Sequence, residues 1–230
     1  MRSGTTAADR WTIAALGAAA LLTPMAAHAV DRECRPQLAL GTSLELWRVA
    51  GRRPIPFIAG GEAGADCPGP GPVCTLSGQA PPNAPVVVTG RAGPYACAAF
   101  VGPAPALHVA RGWLPLAGLA RVVRGKSIRW VGEWRAEAAQ SIAIRARRRS
   151  SLSVYGIASW GADDPARVAA GQVNSGELIA RGSPRGDRLD LADGDCTARM
   201  WRLGPYLVVA DNGRCGGMNV SFTGVYRSGR

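Results

Sequence analysis

The sequence predicts an all-β protein, with a small barrel followed by a short eight-stranded up-and-down barrel and disulfides across both. Three observations predict it. From residue 128 onward, short apolar runs recur, most with a period of two, the spacing of a strand with one buried face. Nearly all of these runs are separated by brief Gly, Pro, Asn or Asp turns, and outside one gap at 161–172 no helical period is sustained among them. Before residue 124 the chain is richer in Pro and Gly, with short apolar runs of its own.

The plainest element is near the C-terminus. Tyr206-Leu207-Val208-Val209-Ala210 is continuously apolar, and Asp211-Asn212-Gly213 is turn chemistry, because Asn and Gly tolerate positive φ. Met218, Val220, Phe222, Gly224 and Tyr226 then alternate with mainly polar residues, which predicts a closing strand over 218–226. The other strands are predicted at 128–135, 141–147, 152–160, 173–181, 188–192, 197–203 and 206–210. Consecutive strands on short turns make a meander, and eight of them close without a free edge. The one long gap, 161–172, holds Asp163-Asp164-Pro165, a start signal for a short helix.

The N-terminus is predicted to be a secretory signal peptide over 1–29. Arg2 and Arg10 precede a short apolar run, and Ala27-His28-Ala29 fits the small-x-small cleavage pattern. The run falls short of the roughly 20 apolar residues of a spanning helix, and no later segment is long and apolar enough to span. The mature chain is therefore expected in the periplasm or the medium, as two domains over 30–124 and 125–230. Gly125-Lys126-Ser127 reads as the linker. In the first domain, strands are predicted at 44–49, 85–89, 95–101 and 112–119.

All six cysteines, Cys34, Cys67, Cys74, Cys97, Cys196 and Cys215, follow residue 29. An even number in an exported chain implies a disulfide framework, and six cysteines allow fifteen pairings. Spacing favours some of them. A hairpin turning at Gly204-Pro205 places residue 196 opposite 213, so Cys215 neighbours Cys196. Cys67 and Cys74 flank a Pro/Gly-rich loop, which leaves Cys34 with Cys97; metal ligation by Cys67 and Cys74 is the competing reading.

Net charge is +11, nearly all from arginine. Such a chain suits an anionic partner, and for an exported protein an envelope component fits better than nucleic acid. The one basic cluster is Arg145, Arg147, Arg148 and Arg149 at a predicted hairpin tip; otherwise the arginines are spread along the sequence.

Three resemblances add to this reading. Cys97-Ala98-Ala99-Phe100 followed by Arg111-Gly112-Trp113-Leu114-Pro115 and Leu119 resembles bacterial SH3-like domains. That implies a small barrel binding peptides or cell-wall material. Gly132-Glu133-Trp134 resembles the G-x-W signature of the calycins, the lipocalin and avidin group. The resemblance implies that Trp134 plugs the barrel floor and that a basic residue of the last strand, Arg227, packs across it. The ending Cys215 to Arg227 also resembles exported proteobacterial proteins of unknown function.

Several chemistries find no support. Ser–His or Cys–His catalysis needs a base beside the nucleophile, and His108 is the only histidine after residue 29. No phosphate loop or dinucleotide fingerprint is present, and Asp190, Asp193 and Asp195 miss the calcium-loop spacing. No cofactor or metal is implied, and no catalytic residue is assigned. Paired carboxylates for glycan hydrolysis remain open among Glu133, Glu137, Glu177, Asp163 and Asp164. The sequon Asn219-Val220-Ser221 falls within a predicted strand. Aromatic walls suit small ligands, and Trp130, Tyr155, Trp160, Trp201 and Tyr206 are the candidate ligand-binding residues. The expected function is non-catalytic binding in the cell envelope, of a cell-wall glycopeptide or a small apolar molecule. The alternatives are a protein-interaction module, such as an inhibitor of a wall-degrading enzyme, and a carboxylate-dependent hydrolase.

Overall fold

The computed structural model describes residues 34, 38–103, 107–123, 129–136 and 139–229. The expected signal segment, the expected linker and Glu137 lie outside the described residues.

The N-terminal strands are β1 (Glu45–Val49), β2 (Ile55–Ile58), β3 (Thr75–Ala80), β4 (Pro85–Ala92), β5 (Tyr95–Val101), β6 (Val109–Pro115) and β7 (Leu119–Arg121). They form one antiparallel sheet in the order β3-β2-β6-β5-β4-β1-β7. β2 and β3 carry too little alternation to be read from the sequence. β5 is buried on both faces, which is why Ala96 to Val101 reads as an unbroken apolar run. Ala96, Ala98 and Phe100 pack into this sheet's own core with Val86 and Leu114. Ala99 and Val101 face the other way, into a core shared with the second sheet. Trp113 is buried beside the Cys34–Cys97 and Cys67–Cys74 disulfides.

The second sheet is a nearly closed eight-stranded antiparallel barrel. Its strands are β8 (Gly132–Arg135), β9 (Gln140–Ala146), β10 (Leu152–Trp160), β11 (Asn174–Gly182), β12 (Arg188–Asp193), β13 (Cys196–Leu203), β14 (Tyr206–Asp211) and β15 (Gly224–Ser228). They run in the order β11-β10-β9-β8-β15-β14-β13-β12. A short helix, α1 (Pro165–Ala169), joins β10 to β11, and Asp164 caps it by accepting from the amides of Ala166 and Arg167. The seam between β11 and β12 is held by a side chain instead of a ladder: Asp193 accepts from the Ile179 amide at 2.9 Å.

The barrel interior is filled. Ile142, Ile144, Leu178, Leu189, Met200 and Leu207 are fully buried within it. The predicted last strand is corrected here. The chain over 212–223 forms no strand, and pairing with β14 begins only at Gly224. Asp211 supplies the physical reason. Its carboxylate accepts from the Ser221 hydroxyl and the Phe222 amide, and its own amide donates to the Thr223 hydroxyl. Side-chain bonds thus replace the ladder and fold the segment over the barrel end. Val220 and Phe222 enter the core, and Phe222 packs so closely on Gly156 that a Cβ there would sit 2.8 Å from the ring. Asn219, at φ 65°, is in this loop, so the sequon does not lie in a strand. The Cys196–Cys215 disulfide ties the loop to β13, following the register that pairs Leu203 with Tyr206.

The barrel wall formed by β13, β14 and β15 packs against the first sheet. Trp201, Leu203, Tyr206, Val208 and Val225 share a buried core with Leu46, Val87, Ala99 and Val101. The Tyr206 hydroxyl donates to the Pro85 carbonyl at 2.7 Å, across the junction. Gly204, at φ 57°, makes the β13–β14 turn, and Leu46 lies where its Cβ would point.

Candidate binding surface

Gly132 and Trp134 stand at one end of the barrel. Gly132 has φ 153°, a conformation that side-chain-bearing residues rarely adopt, so the glycine of the Gly-x-Trp triplet is required by the backbone. Trp134 is buried, and its indole N–H donates to the Trp130 carbonyl at 3.3 Å.

The cation over Trp134 is Arg202, with its guanidinium carbon 4.3 Å from the ring centroid. Arg227, expected in that role, lies over Tyr206 at 5.6 Å and donates to the Val101 carbonyl at 2.6 Å. Strand alternation gives the reason. On β15, Tyr226 points into the barrel, so Arg227 points out toward the first sheet. On β13, Ala198 and Met200 point inward, and Arg202 has the same parity at the strand's last inward position. An inward-phase arginine is the sequence signal that marks Arg202.

Arg129, Arg202 and Arg227 line an open cleft of about 610 Å³ between Pro103 of the first sheet's side and the barrel end. Arg202 donates to the Arg129 carbonyl at 2.6 Å and to the Tyr206 carbonyl. Burial pushes its pKa down to about 10, so it remains a cation at neutral pH. Among the described residues no carboxylate pairs with Arg202 or Arg227. Elsewhere arginines are neutralised: Glu45 accepts from Arg91 at 2.7 Å, Arg121 at 3.0 Å and the Trp47 indole at 2.7 Å. Partial desolvation works against the Glu45 carboxylate, but those three donors outweigh it and hold its pKa below the ordinary value. Glu133 also lines the cleft, but it is paired with Arg145, so three arginines against one carboxylate leave the recess cationic.

The five candidate aromatics do not share one cavity. Trp130 sits beside Trp134 at the barrel end, and Trp201 and Tyr206 are buried in the core between the sheets. Trp160 lies at the opposite end, under the Arg167 guanidinium at 4.4 Å. Tyr155 is on the outer wall, 42% exposed, with its hydroxyl 3.2 Å from Glu177. The carboxylates are likewise dispersed. Glu133 on β8 pairs with Arg145 and is separated from Glu177 on β11 by two intervening strands, about 14 Å at the backbone. Asp163 and Asp164 lie at the α1 start, at the other end. All six cysteines are in disulfides, and no group of three or more metal-ligating side chains occurs among the described residues.

Comparison with protein-family models, with curated proteins and with solved structures yields no match for this chain.

Proposed function

We propose that this is an exported, non-catalytic binding protein of the bacterial cell envelope that acts through its outer surface. The observation that carries this reading is the filled barrel. Ile142, Ile144, Leu178, Met200, Phe222 and Tyr226 occupy the space in which a barrel would hold a small ligand. Three disulfides fit an oxidising compartment, in line with the signal-like N-terminus. The resemblances to SH3-like and calycin domains lean the same way, toward binding modules, by fold-level analogy.

The test is native mass spectrometry of protein secreted to the periplasm and purified without denaturant. The expected species is the bare processed polypeptide, six hydrogens lighter than its reduced form. An added mass matching a small apolar molecule, lost on denaturation, overturns the reading and points to a ligand inside the barrel. Turnover of wall glycan that is lost in Glu133→Ala or Glu177→Ala overturns it in favour of a hydrolase.

A second reading, a module that docks on another protein, is favoured by the outer wall of β10 and β11. There Tyr155, Ile157 and Ile179 stand exposed on neighbouring positions.

A further inference from the structure

In an up-and-down barrel, alternate connections share an end. The end that holds Gly132 and Ser228 therefore also holds the turns at 147–151, 183–187 and 204–205. Those turns expose Arg147, Arg148, Arg149 and Arg185, on the same end as the cleft arginines Arg129, Arg202 and Arg227; Glu133 and Asp187 are the carboxylates of that end, and the arginines outnumber them. The opposite end carries Asp163, Asp164, Asp193, Asp195 and Asp211 against Arg167 and Arg214. Arginines dispersed over a hundred residues of sequence thus form one basic face of a polarised barrel.

The hairpin tip adds an independent observation. Arg149 and Ser150 both have φ 58°, and the Arg147 amide donates to the Ser151 carbonyl at 2.8 Å across the turn. Two consecutive left-handed residues favour Asn-Gly, and an arginine there is held at a conformational cost. The turn keeps a cation where an uncharged pair would fold more easily, a pattern found where strain serves a site.

From this geometry we infer that the basic end of the barrel docks an acidic polysaccharide, with the Arg129–Arg202–Arg227 cleft seating one of its anionic groups. The inference rests on the surface-binding reading above and names its ligand class. A chain is favoured over a single ion because the cations extend from the β9–β10 turn to β15, three strand spacings or about 14 Å. A glycan is favoured over nucleic acid because base stacking needs exposed aromatic faces. Trp130, Trp134, Trp201 and Tyr206 are all buried, whereas Val131 and the prolines Pro103 and Pro205 offer a small apolar rim suited to sugar rings.

The test is calorimetric titration of the full processed protein with polygalacturonate, with single-stranded DNA as the competing polyanion. The tip variant Arg147→Ser/Arg148→Ser/Arg149→Asn and the cleft variant Arg129→Ser are compared with Arg167→Ser/Arg214→Ser, which removes positive charge at the opposite end of the barrel. Circular dichroism confirms that each is folded. We expect wild-type binding that weakens with salt, about tenfold loss in the tip variant with a shallower salt dependence, a smaller loss in Arg129→Ser, and less than about twofold change in the distant variant. Equal losses in the tip and distant variants, or no binding to polygalacturonate, overturn the inference. So does tighter binding of DNA with the same dependence on the tip. Any of these leaves the surface-binding reading standing, because that reading fails on a ligand mass or on turnover.

Discussion

β14 and the β10–β11 wall belong to the same barrel but live in different surroundings. β14 is buried from Tyr206 to Ala210, with Leu207 and Val209 in the barrel core and Tyr206, Val208 and Ala210 in the core shared with the first sheet. β10 alternates strictly over most of its length: Leu152, Val154 and Ala158 face inward, while Tyr155 and Ile157 are exposed. The difference teaches that a continuous apolar run in an antiparallel barrel reports a second packing partner, whereas alternation reports solvent. The first sheet is thus joined to the barrel through one wall, and the opposite wall is left for water or a partner.

The largest expected effect tests that asymmetry directly. Tyr206→Ala empties the shared core and removes the bond to Pro85, so it should cost about 3–5 kcal/mol, against no more than about 0.5 kcal/mol for Tyr155→Ala. Urea unfolding of both variants measures it. Equal costs would break the comparison. Next in size, Cys196→Ser/Cys215→Ser releases the loop that plugs the barrel. The bridge spans 19 residues, and its loss should cost about 3 kcal/mol.

Alkaline titration separates the two walls again. Burial pushes the Tyr206 phenol up to about 12, against a smaller opposing effect of the Arg227 charge. Burial and the Asp211 charge raise Tyr226 well above the ordinary range. The unfolded chain ionises these phenols near 10, before the folded one does. Their contribution is therefore whole below pH 10 and is lost as pH rises toward and through 12, about 2–3 kcal/mol for Tyr206. Stability at pH 9 and pH 11 should differ, and Tyr206→Phe should flatten the difference. An unchanged difference would sink the assignment.

Much of the barrel is legible in the sequence because each signal is local. Alternation marks β9 to β13, Asp164-Pro165 marks α1, and the hairpin register at Gly204-Pro205 puts Cys215 near Cys196. What is not legible depends on partners distant in sequence. The alternation over 218–223 looks like a strand, yet the Asp211 carboxylate captures the backbone first and Val220 and Phe222 satisfy their burial as a plug. Arg202 and Arg227 exchange roles because parity, not proximity to the last strand, decides which one reaches Trp134. The basic face is intermediate. Its arginines look scattered until the meander order is granted, and then alternate turns must share an end.

The smallest effect sharpens the exposed wall itself. β11 and β12 meet without a ladder, and the Asp193 carboxylate accepts the Ile179 amide at 2.9 Å where a backbone carbonyl would otherwise stand. A carboxylate can move off this site more easily than a strand can leave a ladder, so the seam should open locally while the β13–β15 wall stays shut. Asp193→Ala should cost about 1 kcal/mol overall. It should also speed hydrogen exchange at the Ile179 amide and leave the Val208 amide unchanged. If Val208 accelerates equally, the seam and the buried wall open as one unit, and the contrast between the walls is one of exposure without any difference in local stability.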